Sequence, residues 1–154
     1  MEAAAWTAGK YWGVDQAPFY FGAPTQEGMA GISYERSIVS MRQVTRGMSN
    51  TYLVGERYIP QADYETGADS GDNETWCTGF NNDNYRKTGR WQDGQIVESV
   101  PIPDTVNGVP DSGGRFGSAH PGVWNISFCD GSVHEMSYDV DWQVHRDTGN
   151  RFAN

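Results

Sequence analysis

A β-hairpin near the carboxyl end constrains the fold of this chain most. Residues 124–138 read WNISFC-DG-SVHEMSY, two runs of strand-forming residues joined by Asp130-Gly131. An Asp-Gly pair tolerates the positive φ angles of a two-residue type I′ turn. Such a turn would pair Phe128 with Val133 and place both side chains on one face of a sheet.

The other secondary-structure signals are short and separated by turn residues. They predict a two-turn helix from Ser40 to Gly47, a buried strand within 50–56, a short strand around 74–80 and a closing helix from Asp139 to Gly149. Residues 1–36 are aromatic and glycine-rich without a period, which favours short strands or packed loops. The prolines within 96–114 argue against regular pairing there.

These elements define an α+β fold, mostly antiparallel β-sheet with long loops and two short helices. The 154 residues suit one globular domain, 1–154, that can enclose its own core. Nineteen glycines and an aromatic content of 13% fit a domain of short strands and many turns.

The charge of the chain excludes one class of partner. The net charge is −9 at pH 7, and the 11 lysines and arginines are scattered along the sequence. Such a chain repels phosphate backbones, so we expect no nucleic acid partner. No stretch approaches the roughly 20 apolar residues of a membrane-spanning helix.

His120 and Asp130 are the first candidates for catalytic residues. An imidazole and a carboxylate can form the orienting pair of an acid/base site, and this would make the chain a hydrolase. However, no convincing nucleophile accompanies them. We therefore favour a structural role, in which the pair braces the final hairpin, Asp130 caps its own turn, and the chain is not an enzyme.

Three residue groups leave alternatives open. Hard oxygen donors on loops are the ligand type that Ca²⁺ prefers, but the same residue types also form the turns of a solvated surface. The candidate ligands are Asp69, Asp72, Asn73, Glu74, Asn82 and Asp83. Cys77 and Cys129 form either one disulfide or two separate thiols. The six tryptophans either stack on a glycan or fill the core.

Four ordered segments resemble one family of bacterial proteins. The segment FGSAHPGVWNISFCDGSV places nine residues between His120 and Asp130-Gly131, and QVTRGMSNTYLVGERYIP, DNETWCTGFNNDNYRKTG and DVDWQVHRDTGNR follow the same family pattern. The family is that of the prepilin-like proteins of planctomycetes, named for its C-terminal His-x9-Asp-Gly spacing. The second segment matches the family at Ser49, Asn50, Thr51, Gly55 and Glu56. Arg46, Met48 and Trp124 depart from the usual family residues.

The resemblance implies a pilin-like head domain. In such proteins an N-terminal apolar helix, expected to be missing from this chain, anchors the subunit in the membrane and then packs inside a filament. The implied function is a type IV pilin-like or type II secretion pseudopilin-like structural subunit, working outside the cytoplasm with other pilin-like subunits as partners. The alternative is a carbohydrate- or solute-binding module on the cell surface.

Overall fold

The computed structural model describes residues 30–34, 37–78, 81–92, 95–105, 108–109 and 112–152. The expectation for residues 1–36 lies mostly outside these ranges. The strands are β1 (Tyr52–Gly55), β2 (Gly89–Gln92), β3 (Gln95–Glu98), β4 (Ile102–Pro103), β5 (Gly117–Ser118), β6 (Val123–Phe128) and β7 (Val133–Ser137), and helix α1 is Trp142–Thr148. Short 3-10 turns lie at Met41–Gln43, Met48–Asn50, Gln61–Asp63, Trp76–Thr78 and Ser112–Gly114.

The described strands form three small sheets, and the α+β class is confirmed. The largest sheet is antiparallel with the order β1-β6-β7, so β6 is its central strand. Strands β2 and β3 form an antiparallel hairpin, and β4 runs parallel to β5. The sheets are therefore mostly antiparallel, as the sequence predicts.

The core lies on one face of the three-stranded sheet. Burial alternates along β6, which turns Trp124, Ile126 and Phe128 inward. Tyr52 of β1 joins them, with its ring centroid 5.8 Å from that of Trp124. Alternation of this kind is the signature of a strand with one buried and one solvated face.

The hairpin turn is one residue longer than predicted. Ser127, not Phe128, pairs with Val133, so these two share the outer face. The Gly131 N–H donates to the Phe128 carbonyl at 2.9 Å, and Gly131 takes a φ of 86°. This is the three-residue loop with a glycine bulge rather than the type I′ turn. The Asp130 carboxylate accepts from the Ser132 N–H at 2.9 Å, which favours the longer loop.

The two predicted helices fare differently. The first is wrong: a single 3-10 turn replaces it, and Gly47 ends the segment with a φ of 101°. The closing helix is confirmed, but its N-cap is Asp141 rather than Asp139. The Asp141 carboxylate accepts from the Gln143 N–H at 2.9 Å and the Val144 N–H at 3.1 Å.

The predictions for two strands are also corrected. Strand β1 is not buried on both faces, because it is an edge strand with Leu53 45% and Val54 66% exposed. In the described part of the strand predicted around 74–80, the structure has the 3-10 turn Trp76–Thr78 instead.

The proline-rich connection contains unexpected pairing. The N–H of Ile102 in β4 and the N–H of Asp104 just after it donate to the carbonyls of Phe116 and Ser118, at 3.2 and 2.9 Å. Pro103 lies between these two donors, where its lack of an N–H leaves nothing unpaired. Strand β3 likewise pairs in full with β2.

Candidate functional site

The two motif segments of the sequence lie on neighbouring strands. Residues 49–56 run along β1, and residues 120–131 run along β6 and its turn. Because β1 and β6 are antiparallel, the start of one segment lies beside the end of the other. The motif residues therefore meet in two groups, one at each end of the strand pair.

Glu56 organises the first group. Its carboxylate accepts from the Asn125 backbone N–H at 2.6 Å and from the Asn125 side-chain amide at 3.1 Å. The other carboxylate oxygen lies 3.2 Å from Nε2 of His120. The Glu56 N–H donates to the Asn125 carbonyl at 3.0 Å. Glu56 thus joins β1, β6 and the loop before β6 at one point.

Asp130 organises the second group. Its carboxylate accepts from the Ser132 N–H and from the Ser132 hydroxyl at 2.9 and 2.7 Å. These hydrogen bonds, together with one from the Ser49 side chain, lower the pKa of Asp130. The ionised Asp130 carboxylate therefore stabilises the fold at pH values above the normal carboxyl pKa, and this contribution is lost as the pH falls.

Thr51 and Asn50 complete the second group. Thr51 is fully buried, and its hydroxyl donates to the Gly47 carbonyl at 3.0 Å. Its carbonyl accepts from the Cys129 N–H at 2.9 Å, which ties β1 to the hairpin turn. The Asn50 side-chain amide donates to the Arg46 carbonyl at 3.3 Å. The Ser-Asn-Thr triplet thus stabilises the turn in which it lies and the neighbouring hairpin turn.

The prediction that the side chains of His120 and Asp130 contact each other is wrong. The six-residue strand β6 lies between them, and six residues of strand extend about 20 Å. The partner of His120 is Glu56, and the partners of Asp130 are Ser132 and Ser49. Both residues have structural contacts, but they brace opposite ends of the strand pair.

The surroundings of His120 give no sign of an activated hydroxyl within the described residues. Ser118 accepts from the backbone N–H of His120 at 3.1 Å rather than from its ring. The Ser118 hydroxyl also donates to the Val123 carbonyl at 3.1 Å and lies 2.9 Å from the Tyr138 hydroxyl. Ser118 therefore serves as a hydrogen-bonding link between strands.

Replacing Glu56 tests the first group. Glu56→Ala leaves the Asn125 N–H without its acceptor, so we expect the free energy of unfolding to fall by about 1–2 kcal/mol. Urea denaturation measures this change. Glu135→Ala is the matched control, because Glu135 is exposed on β7 opposite Asn125. An equal loss in both variants would contradict the role assigned to Glu56.

Arginines occupy the centre of the acidic loop predicted to bind Ca²⁺. Arg57 forms an ion pair with Asp72 and donates to the carbonyls of Gly71 and Asp83, at 2.8 and 3.2 Å. Arg86 donates to the Tyr85 and Gly71 carbonyls, at 2.9 and 3.2 Å. Burial, and then the nearby charge of Arg57, lower the pKa of Arg86 to about 10.

The other candidate ligands mostly face protein groups. Asp69 accepts from the Gly71 N–H and the Ser112 hydroxyl, each at 2.8 Å. The Asp83 carboxylate accepts from the Glu74 N–H, the Glu74 carboxylate accepts from Asn81, and the Asn82 side-chain amide donates to the Ser70 carbonyl. Asn73 is exposed. Within the described ranges, no group of three or more acidic, histidine or cysteine side chains is arranged to hold a metal ion.

The described tryptophans occupy different environments. Trp124 is fully buried in the core, whereas Trp76 is 86% exposed. Arg146 lies over the ring of Trp142, 5.4 Å from its centroid. Trp6 and Trp12, and the side chain of Trp91, lie outside the described part of the chain.

Of the two alternatives that the sequence leaves open for the cysteines, the structure has the separate thiols. Cys77 and Cys129, both within the described residues, are free thiols. Cys77 is exposed on a 3-10 turn, whereas Cys129 lies in the hairpin turn 3.6 Å from the Tyr52 carbonyl.

The difference in burial predicts the reactivity of the two thiols. Burial raises the pKa of Cys129, which reduces its reactive thiolate. We expect Cys77 to react quickly with a disulfide reagent in the native protein, and Cys129 only slowly until unfolding. The absence of any titratable thiol in the native protein would show that Cys77 and Cys129 form a disulfide instead.

A buried histidine escaped the sequence reasoning. His145 of α1 is fully buried, and the ring centroids of Tyr52, Trp124 and Phe116 lie 5.5, 5.7 and 5.8 Å from its own. Burial lowers its pKa to about 4. The position of the helix N-cap is the feature that could have revealed this burial. A helix that begins after Asp141 turns His145 inward and leaves Val144 55% exposed.

The comparisons with known proteins identify a family but no characterised relative. No helix of the described residues is long and apolar enough to cross a membrane. No curated protein and no solved structure matches the chain. Residues 3–143 match the family described as a protein of unknown function (DUF1559). Because this match spans most of the 154 residues, the chain belongs to the DUF1559 family.

Proposed function

We propose that this chain is the outward-facing head of a pilin-like structural subunit, which assembles with other subunits outside the cytoplasm. Membership of the DUF1559 family and the resemblance of four sequence segments to prepilin-like proteins support the proposal. In the full-length subunit, an N-terminal apolar helix would anchor this head in the membrane.

One observation carries the proposal: the motif residues bind each other. Glu56 and His120 close one end of the strand pair, while Ser49, Thr51 and the Asp130 turn close the other. Side chains used in this way hold a surface in shape, which is what a building block requires. The acid-rich surface, with a net charge of −9, keeps separate heads soluble.

Cell fractionation tests the proposal. An antibody raised against this chain should detect the native protein in the membrane fraction and in material sheared from the cell surface. The sheared material should sediment as polymers in an ultracentrifuge. Detection only in the cytosolic fraction, alongside a cytosolic marker enzyme, would overturn the proposal.

An activity screen separates the structural reading from the hydrolase reading. The purified chain should show no turnover of a panel of fluorogenic ester, peptide and glycoside substrates above that of His120→Ala. Turnover that disappears in a folded His120→Ala variant would favour the enzyme instead.

A further inference from the structure

Helix α1 is attached to the rest of the fold through one buried side chain. Every residue of α1 is described, and His145 is the only one that is buried. The apolar core cluster of the described residues, which includes Trp124 and Ile126, contains no residue of α1. Detachment of the helix would therefore leave the side chains of this cluster packed on one another.

The imidazole of His145 is buried without hydrogen bonds. The rings of Tyr52, Trp124 and Phe116 surround it, at centroid distances of 5.5, 5.7 and 5.8 Å. Neither ring nitrogen has a hydrogen-bond partner among the described residues. A neutral imidazole tolerates such a position far better than an imidazolium does, because the charged ring has lost the water that would solvate it. Protonation therefore opposes the burial of this side chain.

The described elements that pack on the imidazole offer it no negative charge. Strands β1 and β6 read YLVG and VWNISF and contain no charged residue. Arg115, in the segment before β5, donates to the Val100 carbonyl at 3.0 Å. Burial raises the pKa of Tyr52 to about 12, so its hydroxyl is neutral in acid. On α1 itself, Arg146 and Asp147 form an ion pair with each other at 2.9 Å.

The chain on the far side of α1 has attachments of its own. The Arg46 N–H donates to the Arg151 carbonyl, and Nε of Arg46 donates to the Asn150 carbonyl, each at 3.0 Å. The helix itself receives a longer bond of 3.4 Å, from the Thr88 hydroxyl to the Arg146 carbonyl. A helix of seven residues is not stable alone in water. A detached α1 would therefore unfold locally, while the chain on both sides of it stays joined to the fold.

We propose that α1 is an acid-sensitive element, which detaches from the core when His145 is protonated while the three-stranded sheet stays folded. The pKa of His145 is about 4 in the attached helix, against an ordinary value of 6.5. The equilibrium constant for attachment is therefore constant above pH 6.5. It falls about tenfold for each pH unit below that value, or about 300-fold by pH 4. This inference does not depend on the proposed structural function.

Residue-resolved amide hydrogen exchange between pH 7 and 4.5 tests the detachment. The His145 and Gly149 N–H groups donate to the Asp141 and His145 carbonyls within α1. After correction for intrinsic exchange rates, these amides should be about tenfold or more less protected than the amides of β6 that pair with β7. Their protection should fall about tenfold for each pH unit below pH 6.

The urea dependence of the same exchange rates separates local from global opening. Low urea concentrations should accelerate exchange in β6 more than in α1, because detachment exposes less surface than complete unfolding does. Equal protection and equal urea dependence in α1 and β6 would show that the helix opens only when the whole fold unfolds. That result would overturn the inference.

His145→Leu separates the imidazole from the other acid-sensitive groups. Leucine does not titrate, so most of the pH dependence of α1 protection should disappear, whereas His134→Gln, at an exposed histidine, should retain it. Both variants keep the Asp141 carboxylate that caps α1. An equal fall in the wild type and His145→Leu, or wild-type protection that rises in acid, would overturn the inference. The comparison of α1 with β6 uses the wild-type chain, so it tests the inference even if the leucine variant does not fold.

Discussion

Gly55→Ala lowers the free energy of unfolding by about 2 kcal/mol, because the core leaves no space for a methyl group. A Cβ at position 55 would lie 2.9 Å from Cδ1 of Ile126, 2.9 Å from Cζ3 of Trp124 and 3.0 Å from Cδ1 of Phe116. Trp124 is 0% and Ile126 is 1% exposed, so neither can move into solvent. Urea denaturation measures the loss.

Gly122→Ala is the matched control for Gly55→Ala. No heavy atom lies within 4 Å of a Cβ at Gly122. We expect this variant to match the wild type or to gain a few tenths of a kcal/mol, since alanine restricts the unfolded chain. Equal stability of the two variants would show that Gly55 is not closely packed.

The protein loses stability on mild acidification because of His145. Its pKa is about 4 in the folded chain, against an ordinary value of 6.5. Above pH 6.5 the ring is neutral in both states. Between pH 6.5 and 4 the unfolded chain binds a proton that the folded chain excludes, so the stability falls as the pH falls. The full difference is about 3 kcal/mol.

His145→Leu isolates this contribution. Leucine has a similar volume and does not titrate, so the variant should lose less stability than the wild type between pH 7 and 4. His134→Gln, at an exposed histidine, should retain the wild-type slope. Urea denaturation at several pH values gives both slopes. Parallel curves for the wild type and His145→Leu would show that His145 contributes nothing to the acid sensitivity.

Local features of the fold were predictable from the sequence, but their register was not. The alternation of Trp124, Ile126 and Phe128 with polar residues identifies β6 and its buried face. The hairpin position is equally clear, whereas its loop length depends on the hydrogen bonds of Asp130 to Ser132. Propensity alone does not distinguish a two-residue loop from a three-residue loop with a glycine bulge.

The candidate site shows the same division. The sequence singles out His120, Asp130 and Glu56. Its pattern suggests that His120 contacts Asp130, which is the nearer of the two acidic residues along the chain. The observed partner of His120 is Glu56, 64 positions away, because β1 pairs with β6. Only the long-range register of two strands sets this contact. The burial of His145 likewise depends on which of two aspartates caps α1.

The acidic loop illustrates a third limit. Carboxylates and amides within 69–83 have the composition of a cation site, and the cations that they meet include the guanidinium groups of the chain itself. Arg57 lies 15 residues before Asp72 and reaches it across a turn. Composition identifies the charge that such a loop attracts, but it does not identify the source of that charge.

Double-mutant cycles in urea test the central claim most directly, namely that the motif residues hold the two ends of one strand pair. One cycle joins Glu56→Ala with His120→Ala, and the other joins His120→Ala with Asp130→Ala. Because both side chains of the first pair are partly exposed, its predicted coupling is only about 0.5 kcal/mol. The changes of the second pair should be additive. Coupling between His120 and Asp130 that exceeds the coupling between Glu56 and His120 would contradict the account.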